Sequence, residues 1–147
     1  VEGLILAIVG AIDATGIGPW SRGSAVAYPW ANVAHVLGAI ALVGAIGVVD
    51  LRLMGLWRAL PAEPLKRALV PVAIGGFAVM LASGTVLLAA DGPALSKSGL
   101  FQAKLVLIAL AGANALAFRW RQAGWLAAMS LGLWVAVVVA GRMIAYS

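Results

Sequence analysis

Residues 29–49 read PWANVAHVLGAIALVGAIGVV, a run with one amide, one imidazole and no formal charge. About 20 such residues, rising 1.5 Å each in a helix, cross roughly 30 Å of hydrocarbon. Three further runs of similar length follow, at 69–90, 100–118 and 125–146. A backbone in lipid must satisfy its own hydrogen bonds, and the short alternating strands of a barrel are absent. The four runs are therefore read as transmembrane helices.

The connections set the arrangement. Residues 50–68 carry Pro61 and Pro64, which suit a turn and the first turn of the next helix. Asp91, Gly92 and Pro93 read as a turn, Ser98 as the cap of the third spanning helix, and residues 119–124 as a tight link. Short links place successive helices side by side. The expected fold is all-α: an integral membrane antiparallel four-helix bundle over 29–147, preceded by an interfacial segment over 1–28.

Bulk properties agree. The chain is 64% hydrophobic and 10% charged, against about half and a quarter in soluble domains. Its formal charge of +5 comes from scattered basic residues at run ends, so it points to phospholipid headgroups and not to nucleic acid. There is no cysteine, which excludes thiol catalysis and thiolate metal sites.

Orientation follows from the basic residues. Arg52, Arg58, Lys66, Arg67, Arg119 and Arg121 flank one side and are expected to face the cytoplasm; Arg22 and Lys97 lie on the other. Both termini are then outside. Trp20, Tyr28, Trp30, Phe101 and Tyr146 fall at the outer boundary, and Trp57, Trp120 and Trp125 at the inner one, as two interfacial belts. The first residues do not read as a signal peptide, since Glu2 replaces a basic start and Asp13 follows the apolar stretch. Leu4, Ile5, Ile8, Val9 and Ile12 form a helical apolar stripe, expected to lie on the outer surface or to tuck over the mouth of the bundle, with a second short helical stretch over 20–27.

Small residues recur at close spacing: Ala34 and Gly38; Gly75, Gly76 and Gly84; Ala109, Ala113 and Ala117; Gly132, Ala136 and Ala140. They predict tight helix packing, with room for a flat ligand beside Gly38 or Gly84 as the alternative.

The candidate site is a polar cluster in the outer third of the membrane. His35, Lys104 and Arg142 fall at similar depth, Asn32 lies one turn above His35, and Asp91 ends the second span. Ionisable groups in lipid usually face a pocket, and this set has more cations than acids. An anionic guest would balance it: a haem propionate, a lipid phosphate or a quinone head. Alternatively Lys104 and Arg142 snorkel to the headgroups, and His35 is a neutral imidazole hydrogen-bonded to a neighbouring helix. If haem b binds, His35 is one iron ligand, and the other is either the same histidine of a second copy across a dimer interface or Met143. Asp50 is read as a structural anchor pairing with Arg119 or Arg52, Asn114 as a deep amide making an interhelical hydrogen bond, and Ser83 and Thr85 as bonded back to their own helix.

The stretch YPWANVAHVLGAIALVGAIGVVDLRLMGLWR (28–58), with FQAKLVLIALAGANALAFR (101–119) and AGRMIAY (140–146), resembles a family of small bacterial inner-membrane proteins defined by a domain of unknown function. The likeness implies a four-helix protein of the bacterial inner membrane, with His35, Asp50, Arg52, Lys104 and Arg142 at its polar positions. It names no reaction. A looser likeness is to small four-helix haem b proteins, including the bacterial membrane protoporphyrinogen oxidase, which carries a histidine in its first helix; this chain has no second one.

Two functions are carried forward. The first is a non-catalytic accessory or structural subunit that binds partner membrane proteins, a second copy of itself, or lipid. The second is a b-type haem or quinone-binding electron-transfer protein using His35. Phosphate loops, HExxH and paired intramembrane carboxylates are absent from the sequence.

Overall fold

The computed structural model describes residues 1–146; Ser147, the last residue of the expected 29–147 unit, lies outside the described residues. The described chain is six helices without a strand: α1 (Glu2–Ala14), α2 (Ile17–Gly23), α3 (Ala27–Leu53), α4 (Ala62–Lys97), α5 (Gly99–Trp120) and α6 (Gly124–Ile144). By length and composition α3, α4, α5 and α6 can each cross a membrane. α3, α4 and α5 contain the first three apolar runs and extend them, while α6 covers the fourth only as far as Ile144, two residues short of its expected end. The added turns are polar residues that hydropathy alone assigns to loops, such as Glu63, Lys66 and Arg67 at the start of α4. Pro64 sits in that first turn, where a missing N–H costs nothing.

α3 lies along α4 and also touches α6; α5 packs on α6; α4 and α5 scarcely touch. The α3–α4 contact is backbone to backbone. A Cβ on Gly38 would stand 2.8 Å from the Gly76 carbonyl oxygen, and one on Gly76 would stand 2.6 Å from the Leu42 nitrogen. Glycine alone permits that approach. Around it Leu42, Ala45, Ala73, Met80, Ala111, Trp134 and Val137 form the buried core, with Phe77 edge-on to Trp134 at 5.9 Å between centroids. The small residues of α5 behave differently from expectation: Ala109 and Ala113 are exposed, and Ala111 and Asn114 form the buried face. With α4 standing away, only one side of α5 has a neighbour.

The expected turn at 91–93 is a kink inside α4. Asp91 leaves helical geometry (φ −116°, ψ 18°), and the helix resumes through Pro93 to Lys97. Pro93 has no N–H for the carbonyl four residues back, which is Ala89. Arg22 supplies the missing donor: its guanidinium lies 2.6 Å from the Ala89 oxygen and 3.1 Å from Asp13. α1 and α2 meet at 83° through Gly16, whose φ of +86° suits glycine. They pack over the kink, with Val9 against Gly92. Of the α1 stripe, Ile5 and Val9 are buried, while Leu4 and Ile8 are exposed. The second short helix lies over Ile17–Gly23 and ends before the expected 20–27 stretch is complete.

Ser98 caps α5 as expected, accepting from the Phe101 N–H at 3.3 Å. The α3–α4 connection is held by Arg52, which donates to the carbonyls of Leu60 (2.6 Å) and Arg58 (3.3 Å).

Candidate functional site

Two polar places interrupt the apolar interior, one toward each end of the long helices. At the first, His35 of α3 is half-buried against α4 and α5. Its Nδ1 lies 3.0 Å from Ser83 Oγ, and Lys104 Nζ lies 3.5 Å from its Nε2. Ser83 Oγ in turn donates to the Val79 carbonyl at 2.6 Å, one turn back along α4. That bond uses the only hydroxyl proton, so Ser83 accepts from His35 and Nδ1 carries the imidazole proton. Nε2 is then the acceptor for the Lys104 ammonium. A neutral imidazole in one tautomer links α5 through α3 to α4.

On the α4 side of this histidine the space is taken by protein. Gly84 lies under the ring, its would-be Cβ 3.2 Å from His35 Cε1, and the Lys104 chain lies on Gly141. Gly38 is filled by Gly76 and Met80. The room for a flat ligand expected beside Gly38 or Gly84 is therefore taken by helix backbone and the imidazole. Lys104 also turns inward, against the snorkelling expectation, because Gly141 leaves a path for its methylenes.

The rest of the expected cluster does not join His35. Arg142 reaches Tyr146, donating to its hydroxyl at 2.5 Å and stacking on its ring at 4.9 Å. Asp91 is exposed and lies beside the Tyr28 hydroxyl. Asn32 is exposed on a shallow depression with Pro29, Val33, Val36 and Leu37. Met143 is 48% exposed. Sequence reasoning missed Ser83 as the histidine's partner, since a serine that back-bonds to its own helix gives no sign that it also accepts across helices.

The second place lies toward the α3–α4 and α5–α6 connections. Because α4 and α5 stand apart, a cavity of about 600 Å³ opens between them, floored by α3 and α6. Its walls are mostly apolar, including Leu42, Ile46, Phe77, Ile108 and Trp134. Lys66, Arg119 and Gln122 stand at its polar end. Lys66 holds Gln122 at 3.0 Å and Glu63 at 2.5 Å, bridging the start of α4 to the α5–α6 connection.

Asp50, Asn114 and Ser130 also line this cavity. Asp50 and Asn114 are each 3% exposed. Asn114 makes the expected interhelical bond, Nδ2 to the Leu126 carbonyl at 3.1 Å. A carbonyl cannot donate, so the amide orientation is fixed and Oδ1 is the group left over. Asn114 Oδ1 and Asp50 Oδ2 have no hydrogen-bond partner. The Ser130 hydroxyl bonds to the Asp50 carboxylate. The expected pairing of Asp50 with Arg52 or Arg119 does not form among the described residues, since Arg52 is spent on loop carbonyls and Arg119 is exposed at the rim. Nor does any group of three or more His, Asp or Glu gather there to hold a metal among the described residues.

The fold has four helices long and apolar enough to span a membrane, which points to a membrane protein, with a histidine link near one end and a mostly apolar cavity near the other. Compared with protein-family models, curated proteins and solved structures, the chain has no match.

Proposed function

We propose that this chain is a small, non-catalytic accessory protein of the bacterial inner membrane that binds lipid-class molecules, and through them or directly its partner membrane proteins. In this reading α3 to α6 form an antiparallel four-helix bundle, both termini face outward, and α1 with α2 lies in the outer interface. Lys66, Arg119 and Gln122 are then at the cytoplasmic boundary. The observation that carries the reading is the gap between α4 and α5, with its cavity of about 600 Å³. A gap of that size with apolar walls is the kind that an apolar guest fills, and it lies open to the bilayer on one side.

The electron-transfer reading through His35 has less support. Each ring nitrogen of His35 already has a protein partner, and Gly84 packs against the ring and Gly141 against its lysine. A structural role for this link follows from the cost of leaving an ionisable group unpartnered in lipid.

The test is native mass spectrometry of protein released from nanodiscs, with an absorption spectrum of the same sample. The reading expects retained lipid-mass adducts and no Soret band. A bare chain with neither adducts nor stoichiometric partners would sink it, and a Soret band lost in His35→Ala would restore the alternative.

A further inference from the structure

The geometry points to a hydroxyl-bearing amphiphile as the occupant of the α4–α5 cavity: an apolar body with at least one O–H donor placed at the level of Asp50 and Asn114. This rests on the lipid-binding reading above and narrows it to one head chemistry.

The argument is an inventory of donors and acceptors. Asp50 Oδ2 and Asn114 Oδ1 are buried acceptors without a partner, on side chains that are part of the cavity wall. A buried polar group without a hydrogen bond costs far more than a satisfied one gains, so native structures leave few. Here the two shortfalls fall in one cavity and are of the same kind. A ligand offering only acceptors, such as an ester, ketone or ether, would leave both unsatisfied.

The protein's own donors do not complete the set. Ser130 gives its single proton to the Asp50 carboxylate. Asn114 spends an N–H on Leu126, Lys66 turns to Glu63 and Gln122, and neither Lys66 nor Arg119 at the rim bonds to Asp50 Oδ2 or Asn114 Oδ1. The occupant must bring the donor. A metal ion is not the natural solution, because one carboxylate and one amide are too few ligands for a protein-held cation.

The remainder of the occupant is fixed by the wall. Beyond the polar level the cavity is bounded by Phe77, Ile108 and Trp134, which accept only an apolar body. About 600 Å³ falls within the roughly 300–1,000 Å³ range of pre-formed small-ligand sites. Entry is lateral, since α4 and α5 scarcely touch. Two natural sources carry this chemistry: phenolic amphiphiles of the quinol type, and lipids with a free glycerol hydroxyl.

The test uses matched probes that differ only in the donor. 4-Decylphenol is compared with 4-decylanisole, and 1-monopalmitoylglycerol with its dimethyl ether. Binding to the full chain in nanodiscs is read from the fluorescence of Trp134, with Trp134→Phe as the blank. In one or both pairs the hydroxyl form should bind at least about tenfold tighter than the methyl ether, the usual worth of a hydrogen bond to a charged acceptor. The pair that discriminates identifies the source. In Asp50→Leu and in Asp50→Ala, neither of which offers a side-chain acceptor, the discrimination should fall to about twofold or less. Equal binding within both pairs, discrimination that survives both Asp50 substitutions, or no binding of any probe overturns the inference. Lipid adducts retained in the native spectrum alongside such a result would leave the broader lipid-binding reading standing.

Discussion

The Arg22 guanidinium lies 2.6 Å from the carbonyl oxygen of Ala89, the acceptor that Pro93 leaves without a helical donor. Two separate stretches of chain are therefore joined at a defect that the sequence itself creates. The kink at Asp91 stays folded because α2 brings a charged donor to it.

Arg22→Ala should cost about 1–3 kcal/mol by exposing that carbonyl to an apolar surround. Asp13→Ala removes only the exposed ion pair and should cost under about 1 kcal/mol. Pro93→Ala restores the N–H, so Arg22→Ala should cost less in that background. Denaturant unfolding in mixed micelles measures all four variants; an equal cost in both backgrounds would break the link between Arg22 and Pro93.

Gly38 and Gly75 provide a matched pair. A methyl group on Gly38 meets the Gly76 backbone at 2.8 Å, and one on Gly75 meets nothing within 4 Å. Gly38→Ala should destabilise by about 1–3 kcal/mol or force α3 and α4 apart. Gly75→Ala should be neutral or stabilise by up to about 1 kcal/mol through helix propensity. The same unfolding assay, together with cross-linking between α3 and α4, distinguishes the two sites.

The His35 link predicts a single tautomer. Nitrogen-15 spectra should show a protonated Nδ1 and a bare Nε2; the reverse pattern would refute the donor order Lys104, His35, Ser83. His35→Leu leaves the Lys104 ammonium without its acceptor, and Lys104→Met should recover part of the loss. A double-mutant cycle should give a coupling of about 0.5–3 kcal/mol.

Asn114 donates to the Leu126 carbonyl on α6. Asn114→Ala removes that bond and one unsatisfied oxygen together. The expected loss is therefore small, about 1 kcal/mol or less, as for other interhelical bonds in membrane proteins. A loss well above that would mean that Oδ1 is satisfied in the native membrane.

Parts of the interior were legible before any coordinates. The lone histidine, Lys104 and Asn114 could be singled out because polar residues inside apolar runs are few and expensive, and Ser98 because it stands just before such a run, where a cap belongs. Their partners could not. Arg142 was grouped with His35 on depth alone, yet its guanidinium goes to Tyr146. Asp50 read as one half of an ion pair, and it lines a cavity with an oxygen unpaired.

Hydropathy determined where the spanning helices lie, because a helix satisfies its backbone within itself and its position needs no neighbour. Helix rotation and separation depend on which surfaces approach across distant parts of the chain. Only the tertiary structure decided that Gly38 meets Gly76, that Lys104 turns to His35, and that α4 and α5 part to leave a cavity. The physical reason is that lipid gives no hydrophobic drive for one helix pairing over another. Close backbone fit and individual hydrogen bonds make that choice, and both are properties of pairs.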